Sequence, residues 1–159
     1  MIKLKNLKMK HYTKMNNGYF AVALDRKSRN LIRKNATMDV VNGDHITLAY
    51  KPDNKKFKKL LPLINRKVEA TVNQIRGNES IEAYWVKDMY LKDTYQKLKR
   101  LDKGPAHITI SHKKDFKPGD ANTMFKKPTF KQQRLGMLEG KIKWIEFNNK
   151  KEKNDNRRI

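Results

Sequence analysis

Short apolar runs, separated by polar and glycine-containing segments, recur along most of this chain, and their spacing predicts a mixture of strands and helices. The continuous apolar run at 18–24 is typical of a buried strand, and Asp25 and Ser28 favour a helix over 25–34. Further strands are predicted over 45–50, 68–75, 81–86, 107–112 and 141–147, and further helices over 55–64, broken by Pro62, and over 91–101.

The chain is most simply one folded domain, because it has 159 residues and an apolar fraction of 37%. We predict a basic N-terminal arm over 1–17, a single domain over 18–147, and a charged, disordered tail over 148–159. No apolar stretch is long enough to span a membrane, and the N-terminus does not resemble a signal peptide. Because cysteine is absent, we expect no disulfide and no thiolate site, and we expect a cytoplasmic protein.

One tetrapeptide pattern occurs twice, as His45-Ile46-Thr47-Leu48 and as His107-Ile108-Thr109-Ile110. Side chains alternate between the faces of a strand, so each copy presents its histidine and threonine on one face and its aliphatic residues on the other. Each copy follows a predicted helix and a glycine-containing turn, and we interpret this order as an internal duplication with pseudo-twofold symmetry. If the two strands face each other, two imidazoles and two hydroxyls surround one small volume.

Such a set of side chains suits the cleavage of a phosphodiester without a metal ion. One imidazole can take the proton from an attacking oxygen while the other protonates the leaving oxygen, because histidine exchanges protons near neutral pH. Threonine hydroxyls can donate hydrogen bonds to the charge that develops on the phosphate. The sequence contains no glycine-rich phosphate loop and no metal-ligand spacing, so we expect neither a nucleotide cofactor nor a metal.

The formal net charge of +22 favours polyanionic partners, and it predicts nonspecific binding of nucleic acid to a basic surface. Lysine and asparagine are both abundant, so a compositional bias is an alternative explanation for the charge. The two histidines outside the repeat, His11 and His112, lie in no motif, and we expect His112 to be solvated. From the residues alone, packing is the expected role of both Trp85 and Trp144.

The two His-x-Thr-apolar motifs in a chain without cysteine resemble those of the two-histidine (2H) phosphoesterase superfamily. The preceding strand at 19–25 and the loop at 117–122 are similar to those of phage anti-CBASS nucleases, which cleave cyclic di- and trinucleotide immune messengers. The chain also resembles the cyclic phosphodiesterase module of tRNA ligases. The resemblance covers roughly residues 18–147 and implies an α+β, bilobal, duplicated fold, in which two small antiparallel sheets form a central cleft with helices outside.

The resemblance also implies roles for individual residues. The two histidines of the repeat would be the acid/base pair and its two threonines the phosphate ligands, while an aromatic residue, a tyrosine and a glutamate near the cleft would bind substrate. The implied residues are His45, Thr47, His107 and Thr109 for catalysis, and Tyr19, Trp85 and Glu139 for substrate binding. The alternatives to the last three are Tyr12, Tyr84 and Glu146, respectively.

Three functions follow as hypotheses. The first is metal-independent cleavage of 3′–5′ bonds in cyclic oligonucleotide messengers by 2′-hydroxyl attack, in the service of viral immune evasion and hence in a host cytosol. The second is opening of 2′,3′-cyclic phosphates during RNA or tRNA end processing. The third is a basic RNA-binding module without catalysis. We expect a monomer in each case.

Overall fold

A computed structural model of the protein describes residues 17–77, 80–115 and 129–147. Most of the predicted basic arm, the predicted tail and the loop at 117–122 lie outside these residues. The elements in chain order are β1 (Gly18–Leu24), α1 (Arg26–Arg33), β2 (Val40–Val41), β3 (His45–Tyr50), α2 (Asn54–Leu60), a 3₁₀ turn (Leu61–Leu63), β4 (Lys67–Gly77), β5 (Ile81–Leu91), β6 (Lys97–Leu98), β7 (His107–His112) and β8 (Thr129–Glu146).

Both predicted N-terminal helices form where local signals favour them. The side chain of Asp25 caps α1 by accepting a hydrogen bond from the backbone N–H of Ser28 at 2.8 Å. Asp53 caps α2 in the same way, and each such cap contributes about 1 kcal/mol. Pro62 then lies in the 3₁₀ turn that ends this helical segment, as its missing N–H requires.

The strands form one sheet in which every pair is antiparallel, in the order β2-β7-β5-β4-β8-β1-β3, with β6 also pairing with β5. One face of this sheet packs against α1 and α2 and forms the core. Trp144 lies in this core with its ring 4.9 Å from that of Phe20 and 5.3 Å from that of Phe57, in the packing role expected for it. The opposite face of the sheet, which we call the open face, carries most of the polar side chains.

The two ends of the sheet meet because it curls into a half-barrel. The backbone N–H groups of Asn42 and Gly43, just after β2, donate to Ile110 and Thr109 of β7 at 2.7 and 2.8 Å. The chain then enters β3 two residues later, so β7, which is covered at its outer edge only by the two-residue strand β2, approaches the end strand β3 at this crossing. Gly43 permits the crossing because its φ of 83° lies in the left-handed region, which side chains with a Cβ disfavour.

The observed mixture of strands and helices agrees with an α+β class, but its arrangement differs from the one expected. The strands described here bond into one continuous sheet, whereas the resemblance implied two small sheets. Two strands are also longer than predicted, since β5 continues to Leu91 and β8 begins at Thr129. No helix in the described part of the chain is long and apolar enough to cross a membrane.

The predicted helix over 91–101 is wrong. Leu91 ends β5, and a tight turn returns the chain so that Leu98 pairs with Met89 in a β5–β6 hairpin. The spacing that predicted a helix instead places Leu91 and Leu98 on the two strands of this hairpin, and both side chains are buried in the hydrophobic core. Tyr95, which belonged to the predicted apolar stripe, is 75% exposed and has a φ of 58°. The helix–turn–strand order therefore does not occur twice.

Candidate active site

Both His-x-Thr motifs lie on strands, as predicted, and both face the open side of the sheet. In β3, Ile46 and Leu48 are fully buried in the core, so His45 and Thr47 leave on the opposite face. The same alternation in β7 buries the two isoleucines of the second motif and directs His107 and Thr109 to the open face. Because the curl of the sheet brings β3 and β7 together, the four polar side chains face one cleft.

The cross-strand neighbours of the two motifs differ. His45 and Thr47 lie directly opposite Ala23 and Ala21 of β1, which contribute only methyl groups to the open face. On the other side of the cleft, His107 lies directly opposite Trp85 of β5. Directly opposed residues in an antiparallel pair share a face, so Trp85 flanks His107 whereas the residue directly opposite His45 is an alanine.

The imidazole of His107 is held by the segment that precedes it. Its Nδ1 lies 3.0 Å from the carbonyl oxygen of Pro105, and a guanidinium nitrogen of Arg100 lies 3.3 Å from the same ring nitrogen. A carbonyl oxygen only accepts, so a hydrogen bond to Pro105 requires a proton on Nδ1. The guanidinium of Arg100 only donates, so with this tautomer its hydrogen bond goes to the same Pro105 carbonyl oxygen at 3.2 Å and not to the ring. In the neutral ring this tautomer leaves the lone pair on Nε2, where it can accept a proton.

The imidazole of His45 is positioned by packing. The Tyr19 ring lies beside it, with a distance of 5.4 Å between ring centroids and an angle of 47° between planes. No residue in the described ranges forms a hydrogen bond with the His45 side chain. The preceding residue, Asp44, is ion-paired with Arg33, which also donates to the carbonyl oxygen of Asn42 at 2.9 Å. Arg33 thereby holds the segment that brings the two sheet ends together.

Burial shifts the protonation of both imidazoles toward the neutral form. Burial lowers the pKa of His107 to about 4. The hydrogen bond to Pro105 opposes this shift, whereas the charges of Arg100 and His45 add to it. Burial also lowers the pKa of His45, but there the carboxylate of Asp44 opposes the shift. The influence of His45 on His107 shows that the two rings lie within electrostatic range of each other.

Two of the three residues assigned to substrate binding lie beside the histidines. Tyr19 contacts His45, and burial together with Asp44 and Tyr50 raises the pKa of its hydroxyl, which stays protonated at neutral pH. Trp85 lies beside His107, whereas its alternative Tyr84 is fully buried on the core face.

The third assigned residue, Glu139, lies on β8 and is engaged by a lysine, since its Oε1 accepts from Lys92 Nζ at 3.0 Å. Its alternative Glu146 lies exposed at the end of β8, opposite Gly18. Tyr12, the alternative to Tyr19, lies outside the described residues, as does His11.

An aromatic cluster beside His45 was missed by sequence reasoning. The ring of Tyr19 lies 6.1 Å from that of Tyr50 and 5.7 Å from that of Phe147, and these two rings lie 5.0 Å apart. The ammonium of Lys51 lies 5.8 Å from the Tyr50 and Phe147 centroids. Sequence carries no signal for this cluster, because β1, β3 and the end of β8 meet only through strand pairing.

The expectation that His112 is solvated is wrong, because its exposed fraction is 5%. It pairs with Val40 on one side and Ile81 on the other, so neighbouring strands cover it. Within the described ranges, no three His, Asp or Glu side chains come together as a metal site requires.

Comparison with known proteins gives one likeness in fold. A crystal structure titled as a fungal RNA kinase matches with a TM-score of 0.55 and 16% sequence identity, over 83% of this chain. The match spans 46% of the kinase chain, so this protein corresponds to about half of it. No protein-family model matches the sequence, and no curated protein matches it.

Proposed function

We propose that this protein is a metal-independent phosphodiesterase that uses His45 and His107 as an acid/base pair on a phosphodiester next to a ribose 2′-hydroxyl. The observation that carries the proposal is that both His-x-Thr motifs face the open side of one sheet, on the strands β3 and β7 that approach each other where it curls. Two unrelated surface histidines would have no reason to be matched by two threonines in the same register.

The surroundings of the two rings are the basis for assigning their roles, because the Pro105 carbonyl fixes the proton of His107 on Nδ1 and the Asp44 carboxylate favours the protonated form of His45. His107, with a pKa of about 4, is neutral at pH 7, and with its proton on Nδ1 it carries the lone pair on Nε2 that we assign as the base. It takes the proton of the 2′-hydroxyl, and the 2′-oxygen forms a bond to phosphorus. As the bond between phosphorus and the 5′-oxygen breaks, His45 donates a proton to that oxygen. The products are a 2′,3′-cyclic phosphate and a free 5′-hydroxyl.

The threonines would stabilise the charge on the phosphate during this step. The hydroxyls of Thr47 and Thr109 are half-buried, and neither bonds to a residue of the described part of the chain. Each can donate to a non-bridging oxygen, and removal of one such donor typically costs about 10²–10³ in kcat. Hydrolysis of the cyclic phosphate uses the same groups in reverse, with His45 accepting a proton from water and His107 donating one to the 2′-oxygen.

Two substrate classes fit this chemistry. The first is a cyclic di- or trinucleotide messenger, which the resemblance to anti-CBASS nucleases supports. The second is an RNA carrying a 2′,3′-cyclic phosphate, which is supported by the likeness in fold to a protein titled as an RNA kinase. Both substrates place a phosphodiester beside a 2′-oxygen, so they require the same four side chains.

The test is incubation of the purified protein, in EDTA, with 3′,3′-cGAMP and separately with an RNA ending in a 2′,3′-cyclic phosphate. Products are identified by mass spectrometry, and the His45→Ala and His107→Ala variants serve as controls once thermal melts show that they fold. Linearised dinucleotide that is absent with either variant supports the messenger nuclease. Opening of the RNA end alone supports RNA processing.

Two outcomes would overturn the proposal. Equal activity of the wild type and both histidine variants would mean that other groups carry the reaction. No turnover of either substrate, combined with RNA binding that survives both substitutions, would instead identify a binding module.

A further inference from the structure

A row of lysines crosses the open face of the sheet, starting next to His45. His45 lies opposite Ala23 of β1, Ala23 lies opposite Lys141 of β8, and Lys141 lies opposite Lys67 of β4. Directly opposed residues share a face, so both ammonium groups are on the same side of the sheet as the candidate acid/base pair. Lys143, two residues along β8, lies opposite Ala21, which separates it from Thr47, and its ammonium donates a hydrogen bond to Asn65 Oδ1.

The pair formed by Lys67 and Lys141 is unfavourable in the protein alone. Like charges directly opposite each other destabilise a sheet, and both side chains are exposed. Neither lysine forms an ion pair within the described ranges, and the nearest carboxylates on this face, those of Glu69 and Glu139 one row along, are within 4 Å of Lys92 instead.

The adjacent row provides an internal comparison. Glu69 and Glu139 are also directly opposed, but Lys92 lies 3.9 Å from the first carboxylate and 3.0 Å from the second. The chain therefore supplies a counter-ion to its acidic pair and none, among the described residues, to its basic pair. An anion from outside the protein is the counter-ion that the basic pair lacks.

The extent of the row indicates how large that anion is. Neighbouring strands lie about 4.8 Å apart, so the backbones of His45 and Lys67 are separated by about 14 Å along the sheet. A single phosphodiester is too small to contact both. Directly between His45 and Lys141, β1 contributes only the methyl group of Ala23, and the ring of Tyr19, on the same face of β1, packs beside His45. A chain of nucleotides can therefore cross β1 over Ala23, next to that ring.

We propose that Lys141 and Lys67, together with Lys143, bind the backbone phosphates of a single-stranded RNA whose reacting phosphate lies between His45 and His107. This inference rests on the proposed function for the position of the reacting phosphate. It selects an RNA strand over a compact cyclic dinucleotide, whose two phosphates do not extend from the cleft to Lys67.

Binding is tested with a fluorescein-labelled octanucleotide of RNA, by anisotropy over a range of NaCl concentrations. The test variant is Lys67→Gln/Lys141→Gln. Its matched control is Lys58→Gln/Lys59→Gln, which removes the same charge from the exposed side of α2, behind the core. Each phosphate contact on a single strand contributes about 0.7 to the slope of log K against log salt, so the test variant should lose about 1.4. The control should keep the wild-type slope.

Cleavage gives a second readout that separates this inference from the proposed function. The test variant should lose the advantage of an octanucleotide over a dinucleotide, both ending in a 2′,3′-cyclic phosphate, and should open the dinucleotide at the wild-type rate. If the protein binds RNA in a lysine-dependent way but cleaves neither the octanucleotide nor the dinucleotide, the lysines bind RNA as inferred and the proposed function is wrong. Equal salt slopes for test and control variants, or equal loss on both substrate lengths, would overturn the inference.

Discussion

His45 and His107 begin two strands of one sheet that have nearly the same sequence, yet the surroundings of the two rings differ. The His107 ring contacts a carbonyl oxygen, lies near the cation of Arg100 and is flanked by Trp85. The His45 ring packs against Tyr19, and the carboxylate of Asp44 opposes the effect of burial on its pKa. Identical motifs can therefore supply two imidazoles with different proton affinities, which an acid and a base require.

The largest effect is expected when each imidazole is removed in turn. His45→Ala and His107→Ala should each lower kcat on a ribonucleotide 3′,5′-diester by about 10²–10⁴, the usual contribution of acid/base catalysis. With a 4-nitrophenolate leaving group, which needs no proton, His45→Ala should recover most of its activity because His45 is the acid. His107→Ala should stay inactive. Recovery by His107→Ala instead would reverse the two roles.

The aromatic residues flanking the histidines give a smaller effect. Stacking of a base on an aromatic ring contributes about 1–3 kcal/mol, so Trp85→Ala should raise KM by roughly 5- to 150-fold with little change in kcat. Tyr19→Ala should also lower kcat, because the Tyr19 ring packs against the His45 imidazole. Steady-state kinetics with Trp85→Phe and Tyr19→Phe as conservative controls separates these effects. An unchanged KM in Trp85→Ala would exclude stacking at that edge.

The smallest expected effect is a shift in the pH profile of kcat/KM. The base must be neutral and the acid protonated, so activity should rise through the pKa of His107 near 4 and fall through that of His45, below its usual 6.5. Because the charge of Arg100 lowers the pKa of His107, Arg100→Gln should move the rising limb to higher pH. Arg100→Lys, which keeps the charge, should restore the wild-type limb. A limb that stays in place in Arg100→Gln would remove His107 as the base.

Local signals were sufficient for much of the fold. The apolar run at 18–24 and the alternation at 45–50 predicted β1 and β3, because burial of alternate side chains is written into a strand's own sequence. Asp25 predicted the start of α1 through its cap. The prediction of a helix over 91–101 was wrong, because this leucine spacing is compatible with both a helix and a hairpin. The turn after Leu91 is what makes the segment a hairpin.

The candidate site also has features that the sequence predicted and features that it did not. The repeated motif was sufficient to nominate four side chains and to direct each pair to one face of its strand, since that depends only on alternation. The aromatic ring of Phe147, the carbonyl of Pro105 and the lysine row had no such signal. Each depends on which strands become neighbours or on how the chain returns to them.

The sequence by itself therefore determined the chemistry available to this protein: two imidazoles, two hydroxyls and a large positive charge. Only the tertiary structure decided that β3 and β7 meet, that one imidazole faces a carbonyl and the other an aromatic ring, and that Lys67 and Lys141 lie in register with His45. The physical reason is that strand pairing joins residues far apart in the chain through backbone hydrogen bonds. Those bonds carry no side-chain pattern from which the partner can be read.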